Sequence, residues 1–379
     1  LDPRTGRLCG ALLIHGLQAD GAPVDAAALI VHHLAVDGVS WRILGEDLRS
    51  AFTAAQRAVA PALPVPSSSF REWSAGLTAR AADPALAATT AYWEHPAGTA
   101  REIVVGRSPL SPERDVAAAT ERFEVEFAAD AVIARLPELY RTGPTEILLA
   151  TLSLAVAKVF GQDGQDRLFV DLEGHGREET LVPGVDLSRT VGWFTAFWPV
   201  PIDVDGGWDP AAPDEAVSAA DTAIKQVKER LARPEFGGLE YGLLTELAPA
   251  AQPQLASPVL FNYLGRLTTG EGSGPFSSLW PDQPLLVVRD PGMPVSHPFE
   301  ANAVTVPGDS GTVVRVEISY ATTQIETAEA RAVAEAWARL LALLENPDSH
   351  DRLGGATAAD SLIGDLTQAE IDEFADEFA

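Results

Sequence analysis

A long apolar segment near the middle of the chain constrains the fold more than any other feature. The stretch PTEILLATLSLAVAKVFG (144–161) is interrupted by few charges, with Pro144 near its start and Gly161 after its end, and it predicts a buried helix. Strands and further helices are predicted around it, in RFEVEF (122–127), RLFVDLEGHG (167–176), DEAVSAADTAIKQVKERLA (214–232), TVVRVEISYA (312–321) and AEARAVAEAWARLLALLEN (328–346). This mixture of strands and helices indicates an α/β fold.

Charge and composition exclude several classes of function. The formal net charge of −27 over 379 residues disfavours binding to nucleic acid or to anionic membranes. No apolar run approaches the length that spans a bilayer, and the first residues do not have the pattern of a secretory signal. A single cysteine, Cys9, excludes an internal disulfide and suits the reducing cytoplasm, where we expect the protein to act. Because the chain begins at Leu1 and contains one methionine, Met293, we expect it to be a segment of a longer protein.

The amino-terminal part predicts a smaller unit. CGALLIHGL (9–17) and AALIVHHLAV (27–36) are interpreted as neighbouring buried strands, with buried helix segments as the alternative. Gly38 permits a sharp turn, Ser40 is a candidate N-cap for the helix that follows, and Ser69 with Glu72 forms a capping-box pattern.

Residues 97–117 are polar and broken by glycine and proline, so we place a boundary there. The predicted units are an amino-terminal lobe (1–110), a carboxy-terminal lobe (111–348) and an acidic tail (349–379). Within the tail, Thr367 and Glu370 form another capping-box pattern.

Two adjacent histidines close the second predicted strand. His32 and His33 would point to opposite faces of a strand, so at most one of them faces a ligand. An imidazole there can take or give a proton near neutral pH, although two packed core histidines would produce the same pattern. Asp37 could orient a histidine, pair with an arginine or cap the turn, and spacing alone does not separate these.

The segment DLEGHGREE (171–179) places Glu173 at the end of another strand. The glycines on both sides of His175 allow the backbone to bend closely around a ligand, and a carboxylate in an apolar cleft becomes a better base. The alternative is a charged surface loop that includes Arg177. The spacing of His32, His33 and His175 does not suit a metal site, and none is expected.

Two further segments are candidates for binding. RTVGWFTAFWPV (189–200) is either a buried strand with packed Trp193 and Phe197 or the wall of an apolar tunnel, and core packing is favoured. In FNYLGRL, Asn262 and Tyr263 can both hydrogen-bond a carbonyl or enolate oxygen. The loop TTGEGSGPFSS (268–278) lacks the Gly-Lys-Ser/Thr of a phosphate-binding loop.

In this order the motifs resemble the epimerization domains of nonribosomal peptide synthetases, from about residue 1 to 346. HHLAVDGVSW matches His-His-x-x-x-Asp-x-x-Ser-Trp, DRLFVDLEGHGRE matches Asp-x6-Glu-Gly-His-Gly-Arg-Glu, and RTVGWFTAFWPV and FNYLGR match two more. Condensation domains share the double histidine and the fold, but Glu-Gly-His-Gly-Arg-Glu and Arg-Thr-Val-Gly-Trp-Phe-Thr favour the epimerization domain. PEFGGLEYG (234–242) is one residue longer than the family motif and carries Glu240 in place of a glycine. So few residues precede His32 that we expect part of the first lobe to lie outside this sequence.

The resemblance implies two chloramphenicol-acetyltransferase-like lobes in a V-shaped pseudo-dimer, with a tunnel between them. The implied reaction inverts the α-carbon of an aminoacyl or peptidyl thioester held on the phosphopantetheine arm of a peptidyl carrier domain. It implies no metal or other cofactor of the domain's own, and a downstream condensation domain as a further partner. His33 and Glu173 would move the proton, and Asn262 and Tyr263 would position the thioester or the enolate oxygen. The supporting residues would be His32, Asp37, Gly38, Trp41, His175, Arg177 and Trp193. A peptide-bond-forming condensation domain and an inactive carrier-docking module are the alternatives.

Overall fold

The structure is a computed structural model that describes residues 1–19, 22–93, 100–161, 165–232, 237–248, 256–266, 289–309 and 311–360. Its strands are β1 Cys9–Ala19, β2 Ala22–Val31, β3 Arg101–Glu102, β4 Thr120–Ala128, β5 Gln165–Gly174, β6 Ala196–Asp205, β7 Val259–Arg266, β8 Phe299–Gly308 and β9 Gly311–Ala321. Its α-helices are α1 Gly38–Gln56, α2 Phe70–Ala81, α3 Pro84–Ala87, α4 Thr90–Trp93, α5 Leu136–Tyr140, α6 Pro144–Phe160, α7 Pro213–Leu231, α8 Leu239–Gly242 and α9 Thr327–Glu345.

Seven of these strands form the main sheet. Strand β5 lies between β6 on one edge and β7 on the other, and β8, β9 and β4 follow beyond β7. The β5–β7 and β7–β8 pairs are parallel, whereas β5–β6, β8–β9 and β9–β4 are antiparallel. Short β3 pairs in parallel with the first residues of β5. The mixed α/β fold predicted from the sequence is confirmed.

The buried helix predicted at 144–161 is confirmed as α6, which packs against α7 and α9. Every side chain from residue 147 to 157 is buried, because neighbouring elements cover all sides of this apolar helix. Trp337 of α9 joins the layers: its ring lies 5.2 Å from the ring of Phe127 on β4, and its indole N–H donates to the Thr151 hydroxyl on α6 (2.9 Å). Among the described residues, no single helix is long and apolar enough to cross a membrane. Ala131–Tyr140 and Pro144–Phe160 qualify only together, as a pair bent by 102°.

The main sheet has one apolar and one polar face. Leu172, Phe261, Ala301 and Ile318 are neighbours across β5, β7, β8 and β9, and all four are buried in the core. Because successive side chains on a strand point to opposite faces, the next residue of each strand lies on the other side. Those residues are Glu173 on β5, Asn262 on β7, Asn302 on β8 and, in the antiparallel direction, Glu317 on β9. The polar face therefore carries the strand-end carboxylate.

The amino-terminal strands form a separate antiparallel hairpin, β1–β2. They were predicted to be buried, and that prediction is wrong. Leu13 is 70% exposed, and Leu12 and Ile30 are each 56% exposed, because no described element forms a second layer over them.

Two of the three cap predictions concern helices that follow this hairpin. Helix α1 begins at Gly38 with Asp37 as its N-cap, so Ser40 is not the cap, although the Ser40 N–H is the group that is capped. The Ser69 cap on α2 is confirmed, since its hydroxyl accepts from the Glu72 N–H (3.1 Å).

The region predicted to separate two lobes lies against the main sheet. The Ile103 N–H donates to the Arg167 carbonyl on β5 (2.8 Å), and Ile103 and Val105 are buried. Trp73 and Trp93, which precede this region, belong to the same buried cluster as the core of the sheet. The boundary at residue 110 stays a prediction, and Thr367 with Glu370 lies outside the described residues.

Candidate functional site

Glu173 is the most informative residue of the site. It is the second-last residue of β5, half-buried on the polar sheet face, and its Oε2 accepts a hydrogen bond from the side-chain amide of Asn262 (2.7 Å). Burial raises the pKa of Glu173 above its ordinary value, and the charge of Glu300 raises it further, while His297 and Arg289 act in the opposite direction. A carboxyl with a raised pKa can hold or release a proton closer to neutral pH than a surface carboxylate can.

Asn262 and Tyr263 were predicted to act together, but the structure separates them. The Tyr263 hydroxyl is hydrogen-bonded to the Thr305 hydroxyl (2.7 Å), and its ring packs against the hydrophobic core. As consecutive residues of β7, the two side chains point to opposite faces of the sheet. Only Asn262 lies beside Glu173.

The two histidines lie in a turn and not in a strand. Strand β2 ends at Val31, and a 3₁₀ turn covers His33–Ala35, so alternation along a strand does not decide which way these side chains point. His32 caps the turn, its Nδ1 accepting from the Leu34 N–H (3.2 Å). His33 is exposed, and its ring centre lies 4.7 Å from the ring of Trp193.

Asp37 both caps α1 and pairs with an arginine, two of the roles that the sequence left open. Its Oδ1 accepts from the Ser40 N–H (2.7 Å) and from Nη2 of Arg177 (3.1 Å), and its Oδ2 accepts from the Phe194 N–H (3.2 Å). The side chains of Asp37 and Arg177 are 5% and 9% exposed. This buried pair fastens the double-histidine segment to the segment that follows β5.

Arg177 also uses its Nη1 nitrogen to bind the segment that follows it. Nη1 donates to the carbonyls of Leu187 (3.0 Å) and Thr190 (2.8 Å), and the guanidinium lies 4.0 Å from the centre of the Phe194 ring. The alternative of a charged surface loop is therefore wrong for Arg177, although His175 beside it is exposed.

The glycines of this motif make room for neighbouring parts of the protein, which are backbone at Gly176 and an aromatic ring at Gly174. Gly176 has a left-handed φ of 63°, and a Cβ there would overlap the carbonyl of Phe194. A Cβ on Gly174 would lie 2.8 Å from the Trp198 ring. Gly38, in contrast, is the first residue of a helix, and no atom lies within 4 Å of the position that a Cβ would take. The turn that Gly38 permits is therefore the start of α1, and Gly38 is not among the glycines with a left-handed φ.

The aromatic segment that leads into β6 lies between the two proton-handling candidates, because Trp193 precedes the strand and Phe197 is its second residue. The prediction that Trp193 and Phe197 pack in the core is wrong, because they are 44% and 40% exposed. Trp193 contacts His33, and Phe197 is the cross-strand neighbour of Glu173. Trp193 and Phe197 are four residues apart, so their Cα atoms are separated by at most about 14 Å. This limits how far apart the contacts with His33 and Glu173 can lie.

The remaining supporting residues are His175 and Trp41. His175 accepts from the Arg177 N–H (3.0 Å) and lies 3.6 Å from the Glu178 carboxylate. Trp41 is half-buried in the first turn of α1. No cluster of three or more potential metal ligands occurs in the part of the chain that the structure describes.

Sequence reasoning missed a buried polar cluster next to Glu173. Asp171 accepts from the Ser257 hydroxyl (2.6 Å) and is hydrogen-bonded to Nε2 of His297 (2.8 Å). Asp171 also lines a cleft of about 210 Å³ together with Phe197 and Tyr241. Strand alternation could have placed Asp171 on the face of Glu173, since the two are separated by one residue, but no local pattern identified His297.

Comparisons with known proteins agree with this architecture. The profile of the condensation-domain family, described as "Condensation domain", matches residues 23–353. Bacitracin synthase 3 of Bacillus licheniformis is 34% identical over 298 residues, which are 75% of this chain and 4% of that protein. A linear gramicidin synthase of Brevibacillus parabrevis is 31% identical over 385 residues, which are 98% of this chain and 7% of that protein. The chain thus spans less than a tenth of these relatives.

Solved structures show the same fold. The epimerization domain from the third module of tyrocidine synthetase B has a TM-score of 0.69 and 28% identity, with 85% of this chain and 69% of that chain covered. The first condensation domain of the CDA synthetase has a TM-score of 0.54 and 15% identity, covers 90% of this chain and 67% of that chain, and supports the fold alone. Since the profile covers most of the sequence, the chain belongs to the condensation-domain family.

Proposed function

We propose that this domain inverts the α-carbon of an aminoacyl or peptidyl thioester carried on the phosphopantetheine of a carrier domain during nonribosomal peptide synthesis. The main support for this proposal is the environment of Glu173. Its carboxyl is half-buried, has a raised pKa and accepts a hydrogen bond from the side chain of Asn262. The 28% identity to a tyrocidine synthetase epimerization domain supports the same activity.

The chemistry needs two proton-handling groups. One removes the α-proton, and the electron pair of the broken C–H bond moves into the thioester carbonyl to form an enolate. The other returns a proton to the opposite face of the carbon, and the enolate electrons form the new C–H bond. We assign these two proton-transfer roles to Glu173 and His33. Trp193 contacts His33, and Phe197, four residues later, is the cross-strand neighbour of Glu173. No cofactor of the domain's own is required, because the thioester itself acidifies the α-carbon.

Asn262 suits the task of positioning. Its side-chain amide has two N–H donors, and one of them is used by Glu173. The second can donate to the carbonyl oxygen on which negative charge develops, a form of stabilisation that commonly contributes several kcal/mol in enzymes. Tyr263 has no such place in the mechanism, since its hydroxyl is bonded on the core side of β7.

Condensation of two carrier-bound substrates is the second candidate. The family match favours it, because the profile that covers residues 23–353 is that of a condensation domain. Under that function the domain would form product only when two loaded carriers are present. A domain that only docks carriers would leave both substrates unchanged.

The experiment is chiral analysis of a carrier loaded with an L-aminoacyl group after incubation with the domain. Epimerization predicts a mixture of L and D forms with one carrier, and a loss of at least about 100-fold in rate for Glu173→Gln and for His33→Ala. Matched controls are Glu124→Gln, an exposed carboxylate on β4 of the same sheet, and His15→Ala, an exposed hairpin histidine. Retention of the L form by the wild-type domain, with product formed only after a second loaded carrier is added, would replace epimerization with condensation.

A further inference from the structure

We propose that two buried residues near the polar face of the main sheet, His297 and Glu300, control in opposite directions whether Glu173 is a carboxylate or a carboxylic acid in the working domain. This inference rests on the proposed epimerization, since it concerns how the assigned acid–base group is prepared. Both residues act through Glu173 and are therefore positioning residues.

The sheet places Glu300 on the same face as Glu173. Asp171, Leu260 and Glu300 form one row across β5, β7 and β8, and Glu173, Asn262 and Asn302 form the next row. With strands about 4.8 Å apart and same-face residues about 6.7 Å apart along a strand, the Cα atoms of Glu300 and Glu173 are separated by roughly 12 Å. Glu300 is 4% exposed, so little solvent screens its charge.

His297 reaches the same region from the residue pair before β8. Its Nε2 is hydrogen-bonded to Asp171 (2.8 Å), its Nδ1 lies 3.1 Å from the Ser296 hydroxyl, and it is 4% exposed. Its ring centre lies 5.6 Å from that of Phe197, which is the cross-strand neighbour of Glu173. The His297 imidazole is therefore buried next to the site and held there by the Asp171 carboxylate.

Within the part of the chain that the structure describes, the sheet and the segment before β8 bring several charged groups toward Glu173. Strand β5 supplies Asp171, the segment before β8 supplies His297 and Arg289, and β8 supplies Glu300, whose carboxylate lies 3.1 Å from Arg289. Strand β9 adds Glu317 in the row of Glu173, while the neighbours from β6 and β7 are the uncharged Phe197 and Asn262. The direction of the pKa of Glu173 agrees: Glu300 raises it, and His297 and Arg289 lower it.

Such control matters because inversion needs complementary protonation states. When one of Glu173 and His33 removes a proton, the other must already carry the proton that is returned. A residue that stabilises the carboxylate of Glu173 therefore favours one direction of transfer, and a residue that stabilises the acid favours the other.

The test uses His297→Gln and Glu300→Gln, with Arg289→Gln as a second variant on the cationic side in case His297→Gln does not fold. The titration of Glu173 is followed by carboxyl difference infrared spectroscopy, each protein against its own Glu173→Gln version. The pH profile of α-proton exchange on a loaded carrier is the second readout. His350→Gln and Glu124→Gln are the controls.

His297→Gln and Arg289→Gln should weaken proton release from Glu173 at least about threefold, moving its pKa up, and Glu300→Gln should move it down by a similar factor. The midpoint of the pH profile of α-proton exchange should move in the same direction as the pKa of Glu173 in each variant. Shifts of the same sign, or rates that fall while the midpoints stay fixed, would overturn the inference. The titration needs no substrate, so wild-type protein that exchanges no α-proton but shows the opposed shifts would refute the proposed function and not this inference.

Discussion

Removal of one partner of the Asp37–Arg177 pair should destabilise the domain strongly. The two side chains are 5% and 9% exposed, so either charge left alone would be buried without its ionic partner and with only neutral hydrogen-bond partners. Loss of one member of a buried ion pair typically costs about 3–5 kcal/mol. Arg177→Met and Asp37→Asn should each fall in this range, and at about 2 °C per kcal/mol for a chain of this size the melting temperature should drop by roughly 6–10 °C. Asparagine can keep the N-cap on α1 through its side-chain oxygen, but it also removes the second oxygen, which accepts from the Phe194 N–H.

The double variant distinguishes a buried pair from two independent contacts. With both charges removed, no ion remains uncompensated, and the double variant should lose about 3 kcal/mol less than the sum of the single losses. Urea unfolding of the four proteins at one pH and salt concentration measures this coupling. Losses that add within about 0.5 kcal/mol would refute the reasoning, because residues without mutual interaction behave in that way.

Three further outcomes follow from the packing and the charge of the site. Gly176→Ala should prevent stable folding or cost more than about 3 kcal/mol, because backbone occupies the position that its Cβ would take and φ is left-handed. Gly38→Ala should be neutral or stabilise the domain by up to about 1 kcal/mol, because no atom lies near its Cβ position. Equal melting temperatures for these two variants would contradict this. Trp337→Phe should cost about 1–3 kcal/mol in urea unfolding, since it removes the hydrogen bond to Thr151 and leaves a void; an unchanged midpoint would argue against that contact. The pKa of Glu173 is raised on folding, so ionisation of this carboxyl opposes folding above the unfolded-state value of 4.5. Glu173→Gln should therefore melt at a higher temperature than wild type at pH 8 and lose that advantage as the pH falls below 4.5. An advantage in melting temperature that grows toward low pH would contradict this.

The elements that followed from the sequence were those determined by local patterns. The apolar run of α6 permits only a buried helix, and the alternation around Val316 permits only a strand with one face in the core. For Asp37 the sequence left three roles open, as an orienting partner of a histidine, a partner of an arginine or a cap of the turn. The structure gives it the ion pair with Arg177 and the N-cap of α1.

Features that depend on contacts between distant segments could not be predicted in the same way. Leu13 is an apolar residue of the kind that is usually buried in a strand. Whether its side chain is buried depends on a second layer packing over the hairpin, and the sequence of the strand does not determine that. Trp193 was assigned to the core because large aromatic residues usually pack there, and it instead contacts His33, a residue far away along the chain. His297 carried no local signal at all, since only the fold brings it to Asp171.

Solvent deuterium incorporation tests the central claim most directly. A single carrier loaded with an L-aminoacyl thioester is incubated with the domain in deuterium oxide, and mass spectrometry follows the α-carbon. We predict that wild-type protein and Glu124→Gln exchange the α-proton and form the D product, and that Glu173→Gln forms D product at least about 100-fold more slowly. Wild-type protein without exchange, or Glu173→Gln with an undiminished rate, would contradict the assignment of Glu173 as an acid–base group.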